Sequence, residues 1–478
     1  MKKIILSALC FTLGFTSLAQ KRQWSLQECV EHALENNISI KQSELDLELS
    51  GLDRRDAIGN FIPSINGSAS TAWNTGLTTD VTTGILQTQT TRNFSAGVTA
   101  SLMVFDGLRN FKTVQRAKMA QLATRYSLEL MKDDIALLVA NSYLQVLFNK
   151  ENLKVINSQH EITRQQMERT QELVSAGAVP RGDLLEIRAN YANEEQRMIV
   201  AENEVRVSLI ALAQLLLIKD YENFDIEDEG YEVIPSEVMQ VSASEVVDRA
   251  TDDRYEIKVA EEQMRIAEKD IELARGAYYP TIGAFFNYNT RESGMGRVVG
   301  VGIDPDEPYR QIGIVESTGE SVVAPNTVTE IGNPLPFFRQ LEMNDGISYG
   351  AQISIPFLNG FSTRNSVRRS EINARRAEYQ LEQAKLDLES NVYQAYVDAQ
   401  GAMKAYQAAQ AALEAQELAF EYATERYDVG MTTAFEFSQS QFEYENAQTE
   451  ALRTKYDYIF KLKVLELYFG IPITDLKF

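Results

Sequence analysis

Cysteine and histidine are almost missing from this chain, with two of each in 478 residues. Cys10 lies in the N-terminal leader described below, so the mature chain keeps Cys29 alone. An intrachain disulfide and a cysteine-bound metal cluster are thereby excluded. His32 and His160 are far apart, and neither sits in an HExxH zinc pattern, although Glu161 follows His160. No GxxxxGK phosphate loop occurs and no catalytic constellation is recognised, so the expectation is a protein without enzymatic activity, cofactor or metal. A basic surface is also missing. The formal net charge is −22, and it becomes more negative once Lys2 and Lys3 leave with the leader. Nucleic acid is therefore excluded as a partner. The acidity serves solubility through self-repulsion, or draws cations into an acidic cavity.

The chain opens MKKIILSALCFTLGFTSLAQ, two lysines and an apolar run ending in Ser17-Leu18-Ala19. This pattern predicts a secretory signal over residues 1–19, cleaved before Gln20. The apolar run is too short for a comfortable membrane span. Leu9 stands before Cys10 where lipidation wants a small residue, so an unlipidated chain is expected.

The remainder is written twice. SLQECVEHALENNISIK from Ser25 aligns without a gap with SASEVVDRATDDRYEIK from Ser242, and the register holds to Pro63 and Pro280. Both copies begin Ser-x-x-Glu, the spelling of a helix capping box. SLMVFDG, ending at Gly107, matches SIPFLNG, ending at Gly360, and the segments around Gly177 and Gly430 match as well. Such duplication predicts one protomer of two related halves. The expected organisation is a first repeat over 20–218, an acidic linker over 219–243, a second repeat over 244–473 and a short tail over 474–478.

Each half reads helix, strand, loop, strand, long helix, turn, long helix. Phe94, Ala96, Val98, Ala100, Leu102 and Val104 alternate with small or polar residues, a period-two strand with one dry face. Segments beginning at Ile65, Ile282 and Ile347 alternate likewise, the last through Ile355 and Phe357, while Phe285 interrupts the polar side of the segment from Ile282. A small soluble sheet packed on helices would hide such faces. A transmembrane barrel strand explains them equally and also fits the export signal, with Trp73 and Tyr349 near strand ends. Four strands do not close a barrel, and an open edge is not tolerated in lipid, so two or three chains must share one. The stretches near 75–92 and 291–345 read as loops between strands. RESGMGRVVGVG, from Arg291, is glycine-rich after a strand, yet no helix follows where a phosphate would sit.

The helical text is long. Residues 108–176 and 361–429 each predict a near-continuous helix of about 100 Å. Val392, Ala395, Ala399, Ala402, Tyr406, Ala409 and Leu413 form an alanine-rich heptad seam, echoed by Leu137, Ala140, Leu144 and Leu147.

The duplicated order of elements and the paired glycine turns, SAGAVPRGDLLEIRANY and DVGMTTAFEFSQSQFEY, resemble the TolC-type outer-membrane efflux proteins. That resemblance implies a membrane β-barrel joined to a long α-helical coiled-coil barrel, with four barrel strands per protomer and twelve in a homotrimer. It further implies an exit duct of a tripartite efflux or type I secretion system, set in outer-membrane lipid. Such a duct passively conducts cargo received from an inner-membrane pump through a periplasmic adaptor. By the same resemblance, Gly177, Ala178, Val179, Gly430, Met431 and Thr432 meet the adaptor. Glu436 and Gln439, with Asp183 and Glu186 in the first copy, line the periplasmic entrance. The residues alone read more plainly: the glycines as helix C-caps, the acids as compensation of helix dipoles. Two rivals remain, a secreted coiled-coil adhesin without a channel and a secreted enzyme with a small sheet.

Overall fold

A computed structural model of the chain describes residues 23–79, 86–227, 231–233 and 236–471. The expected leader, its cleavage point and the tail over 474–478 lie outside the described residues. In chain order the first copy holds β1 (Gln23–Trp24), α1 (Leu26–Asn36), α2 (Ile38–Gly59), β2 (Ser64–Thr79), β3 (Leu86–Phe105), α3 (Arg109–Ser175) and α4 (Arg181–Leu215). The connection carries β4 (Asp225–Ile226) and a single 3-10 turn, Glu237–Gln240. Then come α5 (Ala243–Asp253), α6 (Tyr255–Gly276), β5 (Thr281–Ser293), β6 (Arg297–Ile303), β7 (Tyr309–Ile314), β8 (Ser321–Pro325) and β9 (Thr327–Gly332). The chain closes with α7 (Phe337–Met343), β10 (Gly346–Ser354), α8 (Ser362–Asp428) and α9 (Ala434–Tyr468). Helix lengths repeat residue for residue: 11, 22, 67 and 35 residues in α1 to α4, and the same in α5, α6, α8 and α9. No helix among the described residues is long and apolar enough to cross a membrane.

The chain divides into two compact units, a helical one of Met1–Leu52, Lys118–Glu268 and Ile372–Phe478, and a strand-bearing one of Asp53–Ala117 and Lys269–Glu371.

In the helical unit, Ser25 and Glu28 complete the capping box of α1, each side chain meeting the other's backbone N–H. The second box forms only by half. Ser242 accepts from the Glu245 N–H, but the Glu245 carboxylate turns to Arg249 at 3.1 Å. Each expected first helix is broken in two, at Asn37 and at Arg254. Asn37 donates its backbone N–H to Ala33 and accepts the Ser39 N–H at 2.9 Å, closing one helix and opening the next. The core gathers Cys29, Ala136, Val139, Tyr143, Leu144 and Leu147 with Leu212 and Ile226. The Tyr143 hydroxyl donates towards the carbonyls of Trp24 at 3.2 Å and Glu227 at 3.3 Å. The connection between the copies is therefore more than a polar linker. β4 pairs in parallel with β1, and Phe224, Ile226 and Val238 are buried. Of the alanine seam, Val392, Ala399, Ala402 and Ala409 are buried, which lets helix backbones approach closely.

In the strand-bearing unit one antiparallel sheet has the order β10-β5-β3-β2. Residues opposite one another share a face. Gly67, Val98, Tyr288 and Ile347 thus form one row, and Ile65, Ala100, Phe286 and Tyr349 the next, all on one side. The other side carries rows such as Asn66, Thr99, Asn287 and Ser348. Hydroxyl pairs Ser64–Ser101 at 2.9 Å and Ser70–Ser95 at 2.8 Å lie on that polar side. Phe285, the residue out of pattern, is accommodated by its neighbour across the sheet. The ring lies over Gly350, where even a Cβ would come within 3.1 Å of it.

Several strand boundaries differ from expectation. β2 runs to Thr79 and β3 begins at Leu86, so most of 75–92 is strand, Trp73 stands mid-strand, and only residues outside the description separate the two. Cross-strand hydroxyl contacts such as Thr75–Thr90 at 2.8 Å carry the ladder onward without apolar alternation. β10 stops at Ser354, leaving Ile355 and Phe357 beyond it, because Pro356 has no N–H for a ladder. The stretch 291–345 is largely ordered: β5 continues to Ser293, β6 pairs with β9 and β7 with β8. α7 closes over the end of β5 through Gln340, which both donates to and accepts from the Ser293 backbone.

Candidate functional site

Two features carry functional potential, and each belongs to one unit. In the helical unit these are the turns that join the long helices. α3 ends in a glycine turn with Gly177 at φ +76°; its N–H reaches Val174 at 3.0 Å while the Ala178 N–H reaches Leu173 at 2.9 Å. α8 ends in the same way: Gly430 is at φ +72°, with Gly430 to Tyr427 at 3.0 Å and Met431 to Arg426 at 2.8 Å. Paired bonds of this kind satisfy the last helix carbonyls around a left-handed residue, which glycine adopts most readily. Gly177, Ala178, Gly430 and Met431 are exposed, whereas Val179 and Thr432 are half-buried.

After the first turn Pro180 precedes α4 and offers no side-chain cap, with Asp183 and Glu186 half-buried in the helix start. After the second, Thr433 caps α9 by accepting the Glu436 N–H at 3.3 Å, and the Thr432 hydroxyl donates to the Glu436 carboxylate. These bonds, the Thr432 hydroxyl foremost, hold the Glu436 carboxyl below the usual range, so it stays charged. Gln439 is exposed and donates to Glu443 at 3.2 Å. The ends of α3 and α8 are tied together by the ion pair of Arg169 with Asp428 and by Thr170 with Tyr427 at 3.1 Å.

Above these turns the seam between α3, α4 and α9 is polar, which the sequence reading missed. The Gln441 amide donates to Thr163 at 2.8 Å and to the Gln159 carbonyls at 3.3 Å, and all three residues are buried. Glu445, 2% exposed, binds both guanidinium nitrogens of Arg197. Glu194 accepts from Thr163 at 2.9 Å with its second oxygen buried and unpartnered. Burial pushes the Glu194 carboxyl up to about 7, helped by the Glu445 charge and opposed by Thr163 and Arg197. The available signal was the spacing of Gln441, Glu445 and Gln448, four and then three residues apart on one helix face.

A pH dependence follows. An acid whose folded pKa lies above its unfolded value of about 4.3 is protonated only in the folded state between the two. The contribution of Glu194 to the stability of the helical unit therefore falls as pH rises from about 4 to about 7 and is flat above. Glu194→Gln is expected to make the slope over that range less negative and raise the melting temperature at pH 8, read by circular dichroism in detergent. An unchanged pH profile would show that Glu194 ionises as an ordinary surface carboxylate.

In the strand-bearing unit the feature is the sheet itself. Its apolar side is uncovered in the single chain, with Ile65, Phe286, Ile347 and Ile353 exposed and Tyr349 80% exposed. β2 and β10 are edge strands with unpaired backbone groups. Although no GxSxG elbow is expected, the letters Gly346-Ile347-Ser348-Tyr349-Gly350 do spell GxSxG. Ser348 lies within β10, 3.4 Å from the Asn287 amide, and not on the strand-to-helix turn such a nucleophile requires.

A profile of the family described as outer membrane efflux protein matches residues 29–216 and 246–470. The chain belongs to the outer membrane efflux protein family. The two matched segments flank the connection that holds β4, one to each copy. Membership gives this efflux protein its place in the outer membrane and its part in efflux, and it sets aside the secreted adhesin; the family is one of channel proteins. Solved structures of similar fold include the CmeC outer membrane channel of Campylobacter jejuni, with TM-score 0.73 and 16% identity over 93% of this chain and 85% of that one. VceC of Vibrio cholerae gives TM-score 0.71 and 14% identity over 94% and 96%. The open state of the MtrE channel of Neisseria gonorrhoeae gives 0.67 and 17% over 93% and 88%. Comparison with curated proteins finds no significant match.

Proposed function

We propose that three copies of this efflux protein close a twelve-stranded barrel in the outer membrane and join their long helices into a periplasmic conduit. The observation that carries this reading is the sheet: four strands, one apolar side uncovered and both edges open. Lipid tolerates the apolar side but not the edges, so β2 of one copy must find β10 of another. Closure alone admits two chains or three; the family resemblance favours three. Cargo then passes inside, handed over by an inner-membrane pump through a periplasmic adaptor, and the duct itself carries out no catalysis.

The turns at Gly177, Ala178 and Val179 and at Gly430, Met431 and Thr432 are proposed to meet the adaptor, since they expose backbone at the ends of long helices. Glu436, exposed and held charged, forms a ring around the entrance in a symmetric assembly, with Asp183 and Glu186 beside it. Gln439 contributes no charge, so one acidic ring takes the place of two. Such a ring attracts cations. In planar bilayers the wild type is expected to be cation-selective and blocked by divalent ions, and Glu436→Gln to weaken both properties. A Glu436→Gln channel with unaltered selectivity and block would remove Glu436 from the entrance.

A further inference from the structure

The junction between β10 and α8 holds a second candidate site, wholly within the strand-bearing unit. A cleft of about 620 Å3 is bordered by Tyr278 and by Phe361, Arg364, Arg368 and Glu371 at the start of α8. Glu371 is shared by two guanidinium groups, Arg368 at 3.1 Å and Arg275 at 3.3 Å. Arg364 makes no ion pair or hydrogen bond among the described residues. Three arginines thus face one carboxylate, a local excess of positive charge in a chain of net charge −22. Apolar side chains adjoin it in the open: Tyr278 and Phe361 are more than half exposed, Phe357 is 90% exposed and Leu358 91%.

The duplication supplies an internal control. With Gly107 aligned on Gly360, Arg364 corresponds to Phe111 and Arg368 to Gln115. In the first copy Arg116 is paired with Asp270 at 2.6 Å and Lys112 with Glu272 at 3.6 Å, while Arg109 is exposed and makes no ion pair among the described residues. What sets the second copy apart is a pair of arginines one helical turn apart, Arg364 and Arg368, lining one cleft with exposed aromatic rings.

We propose that this cleft binds the phosphate of a membrane glycerophospholipid through Arg364 and Arg368, with Tyr278, Phe361, Phe357 and Leu358 against its acyl chains. A guanidinium presents paired donors that match phosphate oxygens, and aromatic residues suit the boundary between headgroup and hydrocarbon. The inference rests on the barrel reading above, since it needs the sheet to sit in lipid beside the cleft.

The test uses the detergent-extracted mature protein in native mass spectrometry, with dioctanoyl phosphatidylglycerol, dioctanoylglycerol and inorganic phosphate as separate probes. One phosphatidylglycerol per chain is expected, weakened about tenfold or more by Arg364→Gln with Arg368→Gln. The corresponding double lysine variant should regain part of the binding, and Lys112→Gln in the first copy should bind as wild type. Equal binding by the double glutamine variant would overturn the proposal. Equal affinity for dioctanoylglycerol would reduce the site to an apolar surface, and equal affinity for inorganic phosphate would make it a free-anion site; either result also overturns it. Chains per particle are read from the same spectra. Trimers that retain no lipid would refute this inference alone, while single chains would refute the barrel.

Discussion

Val98→Arg is expected to remove the protein from the outer membrane, while Thr99→Arg, one residue along the same strand, leaves it there. Val98 stands in the apolar row between Gly67 and Tyr288, and Thr99 in the polar row between Asn66 and Asn287. An arginine facing lipid near the bilayer midplane costs about 2–4 kcal/mol in a β-barrel, whereas one facing the lumen is hydrated. Repeated in every chain of a shared barrel, that penalty multiplies. Membrane fractionation and heat-dependent gel mobility would read the outcome. Equal tolerance of both substitutions would mean that the apolar side is not in contact with lipid.

Gly107→Ala is expected to destabilise the strand-bearing unit far more than Gly360→Ala, although both glycines close the same turn of the duplicated sequence. Both are left-handed, at φ +74° and +58°, and each is followed by a residue that is left-handed as well, Leu108 and Phe361 at +64°. The backbone penalty for an alanine is therefore shared, about 1–2 kcal/mol. The surroundings differ. A Cβ on Gly107 would stand 2.2 Å from the Gly276 carbonyl oxygen, whereas nothing lies within 4 Å of one on Gly360. Forcing the two backbone segments apart adds about 1–3 kcal/mol, so Gly107→Ala should lose about 2–5 kcal/mol and Gly360→Ala about 1–2 kcal/mol. Melting temperatures in detergent compare them directly. Equal losses would mean that the Gly107–Gly276 approach relaxes freely.

The sequence made the long helices and the strand faces legible because both repeat with a simple period. Val392, Ala399 and Ala409 keep their places every seven or ten residues, and Ile65 and Val98 alternate with Asn66 and Thr99, so which residues share the apolar side is written directly in residue type. Elements without a period were not readable. The extension of β2 to Thr79 is held by hydroxyl pairs such as Thr75–Thr90, and threonine and glutamine rows look like loop. The breaks at Asn37 and Arg254 come from capping contacts, not from proline or glycine. β4 is only two residues long and depends on its partner β1. At the turns, Gly177 and Gly430 could be located from their composition, but the Thr432–Glu436 bond that favours the charged form of Glu436 is visible only in three dimensions. The polar seam of Gln159, Thr163, Gln441 and Glu445 is not legible in apolar spacing, since buried polar residues on a helix face read as a solvated face.

The central claim is that several chains share one membrane barrel. The mass of the detergent-extracted mature protein, from light scattering corrected for bound detergent, tests it most directly. Three chains per particle, extractable only with detergent, is the expected result: it pairs every β2 with a β10 and leaves no sheet edge in lipid. A monomer that stays soluble without detergent would contradict the account, since four strands with two open edges cannot persist in a bilayer.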